Sequence, residues 1–300
     1  MDQAQQLRNI IKQNAIDGTP RPAARVITVT SGKGGVGKSN TSINLAVQFR
    51  RMGKRVVIFD ADFGMANIEV MFCAVPKHNL ADLIYQGMNI RQIITQGPMD
   101  IGFISGGSGI ASLSNLGKEY INYLIQNLAE LDLIADVIII DTGAGISDAV
   151  LEFLVASGEV LLVTTPEPTS ITDSYSLLKA LNRHEHFDRE NTQIKVVANK
   201  VESFDEGRAL YNKLNAVVNR YLKIPLTFVG VIPEDHELVK AVMQQMPISI
   251  QNPNAKSAQG YLDLANVLEN NATEPIYHKR GMAGFFANMV RGNNRVNVVK

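Results

Sequence analysis

Residues 30–40, TSGKGGVGKSN, hold four glycines and two lysines within eleven positions. The part from Gly32 to Ser39 fits G-x-x-x-x-G-K-[ST], a loop whose backbone N–H groups converge on phosphate oxygens at the start of a helix. In such a loop Lys38 reaches the β- and γ-phosphates, and the Ser39 hydroxyl joins the Mg²⁺ shell. The alternative is a glycine-rich turn without a ligand, but the strand and helix patterns on either side favour nucleotide binding.

Aspartates stand at or just after the ends of two apolar runs. Asp60 ends VVIFD with Asp62 two positions later, and Asp141 ends VIIID. Asp60 ends the apolar run whereas Asp62 lies beyond it, so we expect the two carboxylates on different sides and with different roles. One carboxylate alone is often only a turn former or a helix cap. Three of them in order behind strands favour a Mg²⁺-dependent phosphate site, because Mg²⁺ prefers oxygen ligands.

Short apolar runs alternate with helical patterns from residue 25 onward, and this order predicts the fold. Near-continuously apolar strands are typical of a mostly parallel sheet that is covered on both faces. We therefore predict an α/β fold, a three-layer doubly wound sheet with its ligand at the carboxyl ends of the strands. The predicted strands are 26–30, 56–60, 137–141, 160–165, 194–199 and 227–232, and the predicted helices are 38–52, 114–131, 147–156, 170–183, 205–220 and 257–269.

The composition excludes several classes of protein. The chain has 29 basic and 29 acidic residues, and this balance argues against a protein that coats nucleic acid. Its single cysteine, Cys73, cannot form an internal disulfide and is expected in the core. No signal core is present at the start, and no apolar run reaches the about 20 residues that span a bilayer, so we expect a cytoplasmic protein.

The phosphate loop carries a second lysine, Lys33, and in this respect it resembles the deviant phosphate loop of the MinD/ParA group of dimeric ATPases. The resemblance implies that Lys33 crosses a dimer interface to the partner's phosphates, as an arginine finger does. The alternative is a solvated loop lysine. The usual Thr-Thr is replaced by Ser39-Asn40, which keeps the hydroxyl. The implied nucleotide contacts come from Gly32, Lys33, Gly34, Gly35, Val36, Gly37, Lys38, Ser39 and Asn40.

Two further segments resemble the switches of this group. FDADFGMAN is similar to the first switch, D-x-D-x-G-x-x-N, which implies that Asp62 orients the attacking water and Asp60 supports the magnesium region. Asn67 completes that pattern. Gly145 corresponds to the second-switch glycine that senses the γ-phosphate, although many relatives have proline where Gly143 stands. Together with Ser39, the implied metal-region residues are Asp60 and Asp141.

Two later loops look like the adenine side of the site. These are Asn199 with Lys200, and Pro233 with Glu234 and Asp235. An asparagine amide offers both a donor and an acceptor to a purine edge. The sequence NKVE lacks the aspartate of the guanine-reading pattern N-K-x-D, so ATP and ADP are favoured over guanine nucleotides.

The stretch GMAGFFANMVRG has an apolar face with helical spacing. Basic residues bracket this face, a pattern typical of a helix that lies on anionic lipid. We therefore predict a peripheral anchor on the cytoplasmic face of the cell membrane; packing on the ATPase domain or on a partner is the alternative. The membrane-facing residues are predicted to be Met282, Phe285, Phe286, Met289 and Val290.

Residues 2–16 read as a short amphipathic helix before a Pro- and Gly-containing linker. Their start, DQAQQLR, resembles the corresponding element of the flagellar number regulators of the FlhG family, also called YlxH and FleN-like. The resemblance implies that this helix stimulates the FlhF GTPase, with Asp2, Gln3, Leu7 and Arg8 at the partner. The alternative is a solvated tail.

These features predict four segments: a GTPase-activating helix at 1–16, a linker at 17–24, an ATPase domain at 25–272 and a membrane segment at 273–300. The resemblance implies a Mg²⁺-dependent ATPase that is slow without an activator. Its implied partners are a second copy of the chain, FlhF, membrane lipid and flagellar C-ring proteins. A division-site selector like MinD, a ParA-like partition ATPase and an ATP-binding scaffold remain alternatives. One cysteine per chain disfavours an iron–sulfur electron carrier.

Overall fold

The computed structural model describes residues 23–62, 67–107, 123, 127–270, 281, 282, 284, 285 and 289. In this part of the chain eight strands form one sheet in the order β3-β4-β2-β5-β1-β6-β7-β8. Neighbouring strands are parallel except β3 and β4, so the predicted mostly parallel sheet is confirmed. The strands are β1 Arg25–Thr30, β2 Val56–Ala61, β3 Thr95–Gln96, β4 Gly102–Ser105, β5 Val137–Thr142, β6 Glu159–Thr164, β7 Gln193–Val201 and β8 Leu226–Pro233.

Helices cover both faces of the sheet. Several begin at side chains that accept a backbone N–H of the first turn, as Ser147, Ser203 and Asp235 do. The helices are α1 Lys38–Arg51, α2 Asn67–Met71, α3 Leu80–Gln86, α4 Ile90–Ile93, α5 Leu131–Ile134, α6 Asp148–Ala156, α7 Pro168–Arg183, α8 Phe204–Leu222, α9 His236–Met243, α10 Ile248–Gln251 and α11 Lys256–Asn270. A 3-10 turn covers Pro98–Asp100.

The core lies on both sides of the sheet because each strand sends alternate residues to opposite faces. In β2, Ile58 packs with helices α1 and α11, whereas Val57 and Phe59 pack on the other side with α3 and α6. All three side chains are nearly or fully buried. This two-sided burial explains why the middle parts of the strands are mostly apolar.

The six predicted strands are all present, and most predicted helices match within two or three residues. The predicted helix at 114–131 lies mostly outside the described residues. Two strands were missed, β3 and β4, because they are only two and four residues long and the second begins with a glycine. The prediction for Cys73 is wrong: the side chain is exposed, in a turn after α2 with a φ of 48°.

Partly buried ion pairs join the amino-terminal ends of the central strands. Arg25 donates to both carboxylate oxygens of Glu159 (2.9 and 2.7 Å), and Lys195 Nζ donates to the same carboxylate at 2.9 Å. Burial alone would raise the pKa of Glu159, but the hydrogen bonds and charges of Arg25 and Lys195 lower it below its usual value. The carboxylate is therefore charged and ties β1, β6 and β7 together.

The C-terminal helical residues pack on the domain. Met282, Phe285 and Met289 are buried, and the Phe285 ring lies 5.9 Å from the ring of Phe153 in a stacked arrangement. The Met282 backbone N–H donates to Asp132 Oδ1 at 2.8 Å. In this conformation these side chains complete an apolar cluster of the domain, which is the packing given above as the alternative, and contact of this face with lipid stays a prediction.

The other two predicted membrane residues, Phe286 and Val290, lie outside the described residues, as do Asp2, Gln3, Leu7 and Arg8. In the part of the chain that the structure covers, every helix is too short or too polar to cross a membrane.

Candidate nucleotide site

The phosphate loop joins β1 to α1, and close contacts require two of its glycines, Gly32 and Gly37. A Cβ atom on Gly32 would lie 2.2 Å from the backbone carbon of Asp173 in α7. Gly37 has a φ of 92°, and a Cβ there would lie 2.2 Å from the Asn199 amide nitrogen. Gly35 also has a positive φ, of 77°. The loop is thus held between α7 and the end of β7, with its backbone exposed where Gly34 has open space around it.

The first turn of α1 carries the remaining predicted loop residues, Lys38, Ser39 and Asn40, and Val36 packs into the core just before it. The Lys38 ammonium is 7% exposed and lies 3.6 Å from Asp141 Oδ1. The Asn40 Oδ1 atom is buried and has no hydrogen-bond partner among the described residues. These groups surround the helix N-terminus, where backbone N–H groups and the helix dipole favour an anion.

Asp141 is completely buried at the end of β5. Burial raises the pKa of Asp141, although the charge of Lys38 and a hydrogen bond from Ser42 oppose the shift. The Ser42 hydroxyl donates to Asp141 Oδ1 at 2.8 Å, while Oδ2 has no partner among the described residues. A buried carboxylate oxygen without a partner is costly, and it indicates a site for a cation or an ordered water.

Asp60 lies directly beside Asp141, because β2 and β5 pair in register at these two residues. Its carboxylate accepts the backbone N–H groups of Asp62 (3.2 Å) and Ile68 (3.3 Å). Burial, followed by the charge of Asp141, raises the pKa of Asp60 to about 8. Two adjacent buried carboxylates repel one another, and a divalent cation between them and the phosphates would remove that repulsion.

The predicted metal residues therefore fit Mg²⁺ by their chemistry. Asp60 and Asp141 lie side by side on β2 and β5, and a hydrogen bond from Ser39 in the first turn of α1 lowers the pKa of Asp141. Asp141 Oδ2 lacks a partner among the described residues. Mg²⁺ is usually held by one or two carboxylates together with water and phosphate oxygens. Bound there, the ion would neutralise part of the triphosphate charge.

The two predicted switches also meet at the loop. Asn67 Nδ2 lies 3.4 Å from Asp62 Oδ2, and a Cβ on Gly143 would lie 3.7 Å from Asp62 Oδ1. The Gly145 N–H donates to the carbonyl of Ser31 at 3.0 Å, and Gly145 has a φ of 83°. Asp60 is buried whereas Asp62 is partly exposed, so the two aspartates lie in different environments, and their different roles stay a prediction.

Asn199 and Lys200 contact the phosphate loop directly. Asn199 Nδ2 donates to the Val36 carbonyl at 2.7 Å, and its Oδ1 accepts the Lys200 backbone N–H at 2.9 Å. Lys200 Nζ donates to the Gly35 carbonyl at 2.9 Å. The Asn199 amide, predicted to contact adenine, is thus already engaged on both sides in supporting the loop.

The second predicted adenine loop lies next to the first. Pro233 is the last residue of β8, and the Glu234 N–H donates to the Val201 carbonyl at 2.9 Å. The Asp235 carboxylate accepts from Glu237 N and from both the N–H and the hydroxyl of Ser257. The side chain of Asp235 therefore caps α9. A contact between this residue and nucleotide stays a prediction, and the backbone of the residue would have to make it.

Lys33 is the residue whose position the sequence could not predict. Its ammonium lies 2.5 Å from Glu167 Oε2 and 3.1 Å from Thr169 Oγ1, both at the start of α7 in the same chain. Both ends of this ion pair are accessible, with the lysine 37% and the glutamate 55% exposed. Sequence reasoning missed Glu167, Thr169 and Ser42, although TTPEPTS follows a predicted strand at the same edge of the sheet.

Comparisons with known proteins agree with this geometry. Residues 27–248 match the CobQ/CobB/MinD/ParA nucleotide binding domain. The chain is 41% identical to the antiactivator FleN of Pseudomonas aeruginosa, across 82% of this chain and 86% of FleN. It is 33% identical to the flagellum site-determining protein YlxH of Helicobacter pylori, across 89% of this chain and 90% of YlxH.

Solved structures support the fold. The cell division ATPase MinD of Pyrococcus furiosus has a TM-score of 0.64 to this chain at 24% identity, and the alignment covers 83% of this chain and all of MinD. At that identity the likeness concerns the fold alone. Every residue of the described phosphate site lies within or beside the matched range 27–248, and the sequence prediction of an FlhG-like ATPase is confirmed. The chain belongs to the CobQ/CobB/MinD/ParA nucleotide-binding family and is a MinD/ParA-type ATPase similar to FleN and YlxH.

Proposed function

We propose that this chain is an ATP-driven switch that dimerises on Mg²⁺-ATP, attaches to the membrane and controls the number and placement of flagella. The observation that carries the proposal is the phosphate loop with two lysines in different environments. Lys38 is buried against Asp141, whereas Lys33 lies at the accessible rim of the loop. A buried lysine suits the chain's own nucleotide, and an accessible one suits a nucleotide in a second copy.

In this proposal hydrolysis depends on positioning and charge, because phosphoryl transfer needs little covalent help from the protein. Lys38 and the loop N–H groups hold the phosphates, and Asp62 orients the attacking water. The Asn67 amide near Asp62 helps to fix that carboxylate. Turnover should be slow until a partner completes the site.

Dimerisation requires Lys33 to leave Glu167 and contact the phosphates of the second chain. An exposed ion pair is weak and salt-sensitive, so bound triphosphate can compete for the ammonium. The similarity to MinD/ParA proteins supports this exchange. The charge of the bound phosphates then stabilises the dimer. Hydrolysis removes part of that charge, and the dimer dissociates.

Membrane attachment is the second output that we propose. Lipid can contact Met282, Phe285 and Met289 only after these side chains leave the apolar cluster that contains Phe153. One short amphipathic helix binds lipid weakly, but two on a dimer act together through effective concentration. ATP-dependent dimerisation would then promote membrane binding.

The flagellar role rests on the relatives, whose names are antiactivator FleN and flagellum site-determining protein YlxH. We further propose that residues 1–16 stimulate the FlhF GTPase through Asp2, Gln3, Leu7 and Arg8, that 17–24 is a linker, and that C-ring proteins receive the output. The second candidate function is selection of the division site, because septum site-determining MinD proteins are 29–30% identical to this chain.

The main test is size-exclusion chromatography of Asp62→Ala with ATP and with ADP, in the presence and absence of anionic liposomes. We expect a dimer that pellets with liposomes only with ATP, and ATP turnover near zero. The matched control is Asp62→Ala combined with Lys33→Ala, which should bind ATP as a monomer. A monomer in every nucleotide condition would refute the dimer switch, and wild-type turnover in Asp62→Ala would refute the role of this carboxylate.

Deletion of residues 1–16 separates the two candidate functions. If the chain regulates flagella, we expect the deletion variant to keep its ATPase activity and to lose all stimulation of the FlhF GTPase. Full-length protein that fails to stimulate FlhF would contradict the flagellar role and favour a division-site role.

Deletion of residues 281–300 should abolish liposome pelleting, and unchanged pelleting would contradict the membrane proposal.

A further inference from the structure

Two consecutive residues of β7, Asn199 and Lys200, contact the same turn of the phosphate loop. Asn199 Nδ2 donates to the Val36 carbonyl at 2.7 Å, and Lys200 Nζ donates to the Gly35 carbonyl at 2.9 Å. Neighbouring residues of a regular strand point to opposite faces of the sheet, so a regular strand would not direct both side chains to one turn. A departure from regular strand geometry must therefore bring the Lys200 side chain to the loop.

That departure is a β-bulge at Lys200. The strands β7 and β8 pair at Asn199 and again at Val201, whereas Lys200 between them is an extra residue without a partner on β8. Lys200 has a φ of 57°, a left-handed conformation that is uncommon for a residue with a side chain. A bulge with a left-handed residue usually has glycine in that position. A lysine there indicates that its side chain has a function that offsets the backbone strain.

The two hydrogen bonds fix the direction of two successive peptide groups of the loop. In a trans peptide the carbonyl points opposite to the N–H of the next residue. The Gly35 carbonyl points to Lys200, so the Val36 N–H points away from it. In the same way the Gly37 N–H points away from Asn199. Neither N–H has a hydrogen-bond partner among the described residues, so both are available to a ligand.

The backbone of this turn alternates in handedness, as in an anion-binding nest. Gly35 and Gly37 have φ values of 77° and 92°, whereas Val36 between them has a negative φ. Such alternation directs successive N–H groups toward one point, where they bind an anion such as a phosphate oxygen. The side chains of β7 thus hold the carbonyl side of the nest, and the N–H side is left for phosphate.

The position of Lys200 differs from that of the two lysines in the loop. Lys38 lies at the start of α1, 3.6 Å from Asp141, and Lys33 lies at the accessible rim beside Glu167. Lys200 instead contacts the loop on its carbonyl side, opposite the N–H groups. An ammonium in that place acts on the backbone of the loop and not on the phosphate directly.

We propose that Asn199 and Lys200 are positioning residues for the ATPase reaction. They hold the Val36 and Gly35 carbonyls so that the phosphate nest is formed before nucleotide binds. A preformed loop binds more tightly because it loses less conformational freedom on binding. The family resemblance implies that Asn199 contacts adenine, whereas the role proposed here concerns the phosphates. This inference deepens the proposed function and rests on nucleotide binding by the loop.

Displacement of a fluorescent ADP analogue from the full chain, with Mg²⁺ present, tests the proposal. The probes are a non-hydrolysable ATP analogue and tripolyphosphate, which has the phosphates without the base. We expect Asn199→Ala and Lys200→Gly each to weaken both probes by a similar factor of about ten, the effect of one hydrogen bond. Since the two residues hold one turn, the double variant should lose less than the product of the two factors. Lys200→Arg keeps a donor and should restore most of the affinity.

Lys200→Gly also separates positioning of the loop from support of the fold. Glycine adopts a positive φ without strain, so the urea midpoint of the nucleotide-free variant should stay the same or rise although its affinity falls. The matched control is Lys223→Gly. Lys223 is an exposed lysine with a φ of 58° that follows α8 at the end of the sheet opposite the loop. This control should bind both probes as the wild type does.

The proposal is overturned if Asn199→Ala weakens the ATP analogue but not tripolyphosphate, which is the result expected of an adenine contact. It is also overturned if Lys200→Gly lowers the urea midpoint and leaves both affinities unchanged, or if Lys223→Gly weakens binding as much as Lys200→Gly does. A wild type that binds neither probe would overturn the nucleotide site together with this proposal, whereas the other outcomes leave the nucleotide site standing.

Discussion

The ammonium of Lys33 lies 2.5 Å from a carboxylate oxygen of Glu167 in the same chain. The pair joins the phosphate loop to the start of α7, and Thr169 adds a second acceptor for the ammonium at 3.1 Å. The hydrogen bond from Lys33 and, after it, the charge of Lys33 lower the pKa of Glu167, so this carboxylate is charged at neutral pH. A lysine that we propose for the partner's phosphates is thus held within its own chain before it acts.

Glu167→Gln should release that lysine. We expect the variant to dimerise at a lower concentration of Mg²⁺-ATP than the wild type does. In the variant the Lys33 ammonium does not have to break an ion pair with Glu167 before it binds the phosphate oxygens. Analytical ultracentrifugation across an ATP series measures the shift. Glu202→Gln, which changes an exposed glutamate after β7, is the control. A higher ATP requirement in Glu167→Gln would mean that the glutamate supports the dimer instead.

Gly32→Ala and Gly34→Ala make a matched pair in the phosphate loop. A methyl group on Gly32 would meet the backbone of α7 at 2.2–2.4 Å, which neither side can relieve cheaply, whereas Gly34 has nothing within 4 Å. We expect Gly32→Ala to lower the free energy of unfolding of the nucleotide-free protein by about 1–3 kcal/mol, with little change for Gly34→Ala. Urea denaturation measures both, and equal losses would contradict the close contact with α7.

Ser42→Ala removes the hydroxyl that donates to buried Asp141 at 2.8 Å. That hydrogen bond lowers the pKa of Asp141, so the pKa should rise further and the site should bind Mg²⁺-ATP less tightly. Removing this donor from the buried carboxylate should cost about 1–3 kcal/mol of stability. Fluorescent-nucleotide titration and urea denaturation provide the two readouts. Ser176→Ala, which removes a partly exposed hydroxyl in α7, should change neither.

Glu159→Gln tests the buried ion pairs at the amino ends of the strands. The substitution leaves Arg25 and Lys195 without their charged partner. We expect the free energy of unfolding at pH 7 to fall by about 3–5 kcal/mol. Because the folded-state pKa of Glu159 lies below its unfolded value of 4.5, its contribution is present above that pH and disappears as the pH falls below it.

The difference in stability between wild type and Glu159→Gln should therefore narrow as the pH falls below the unfolded value of 4.5. Urea denaturation over a pH series measures this difference. Glu237→Gln breaks an exposed pair with Lys240 within one helix and is the control, with no measurable pH-dependent change. A constant difference from neutral to acid pH would show that Glu159 does not act through its charge.

Local patterns were enough to predict the sheet and the phosphate loop. A strand covered on both faces must be apolar along its whole length, and a loop that wraps phosphate needs glycines at set spacings, so both leave a signal in consecutive residues. For the same reason Asp60, Asp62 and Asp141 could be placed at one edge from their positions after strands. The short strands β3 and β4 leave too few residues for such a signal.

Contacts between distant segments appear only when the chain is folded. The partners of Lys33 and Asn199 are separated from them by more than a hundred residues, and no periodicity links such positions. The apolar face with Met282 and Phe285 is equally suited to lipid or to protein. An amphipathic pattern predicts that one face of a helix is buried but not whether lipid or protein covers it. Packing against Phe153 buries that face in this conformation, a contact between segments more than a hundred residues apart.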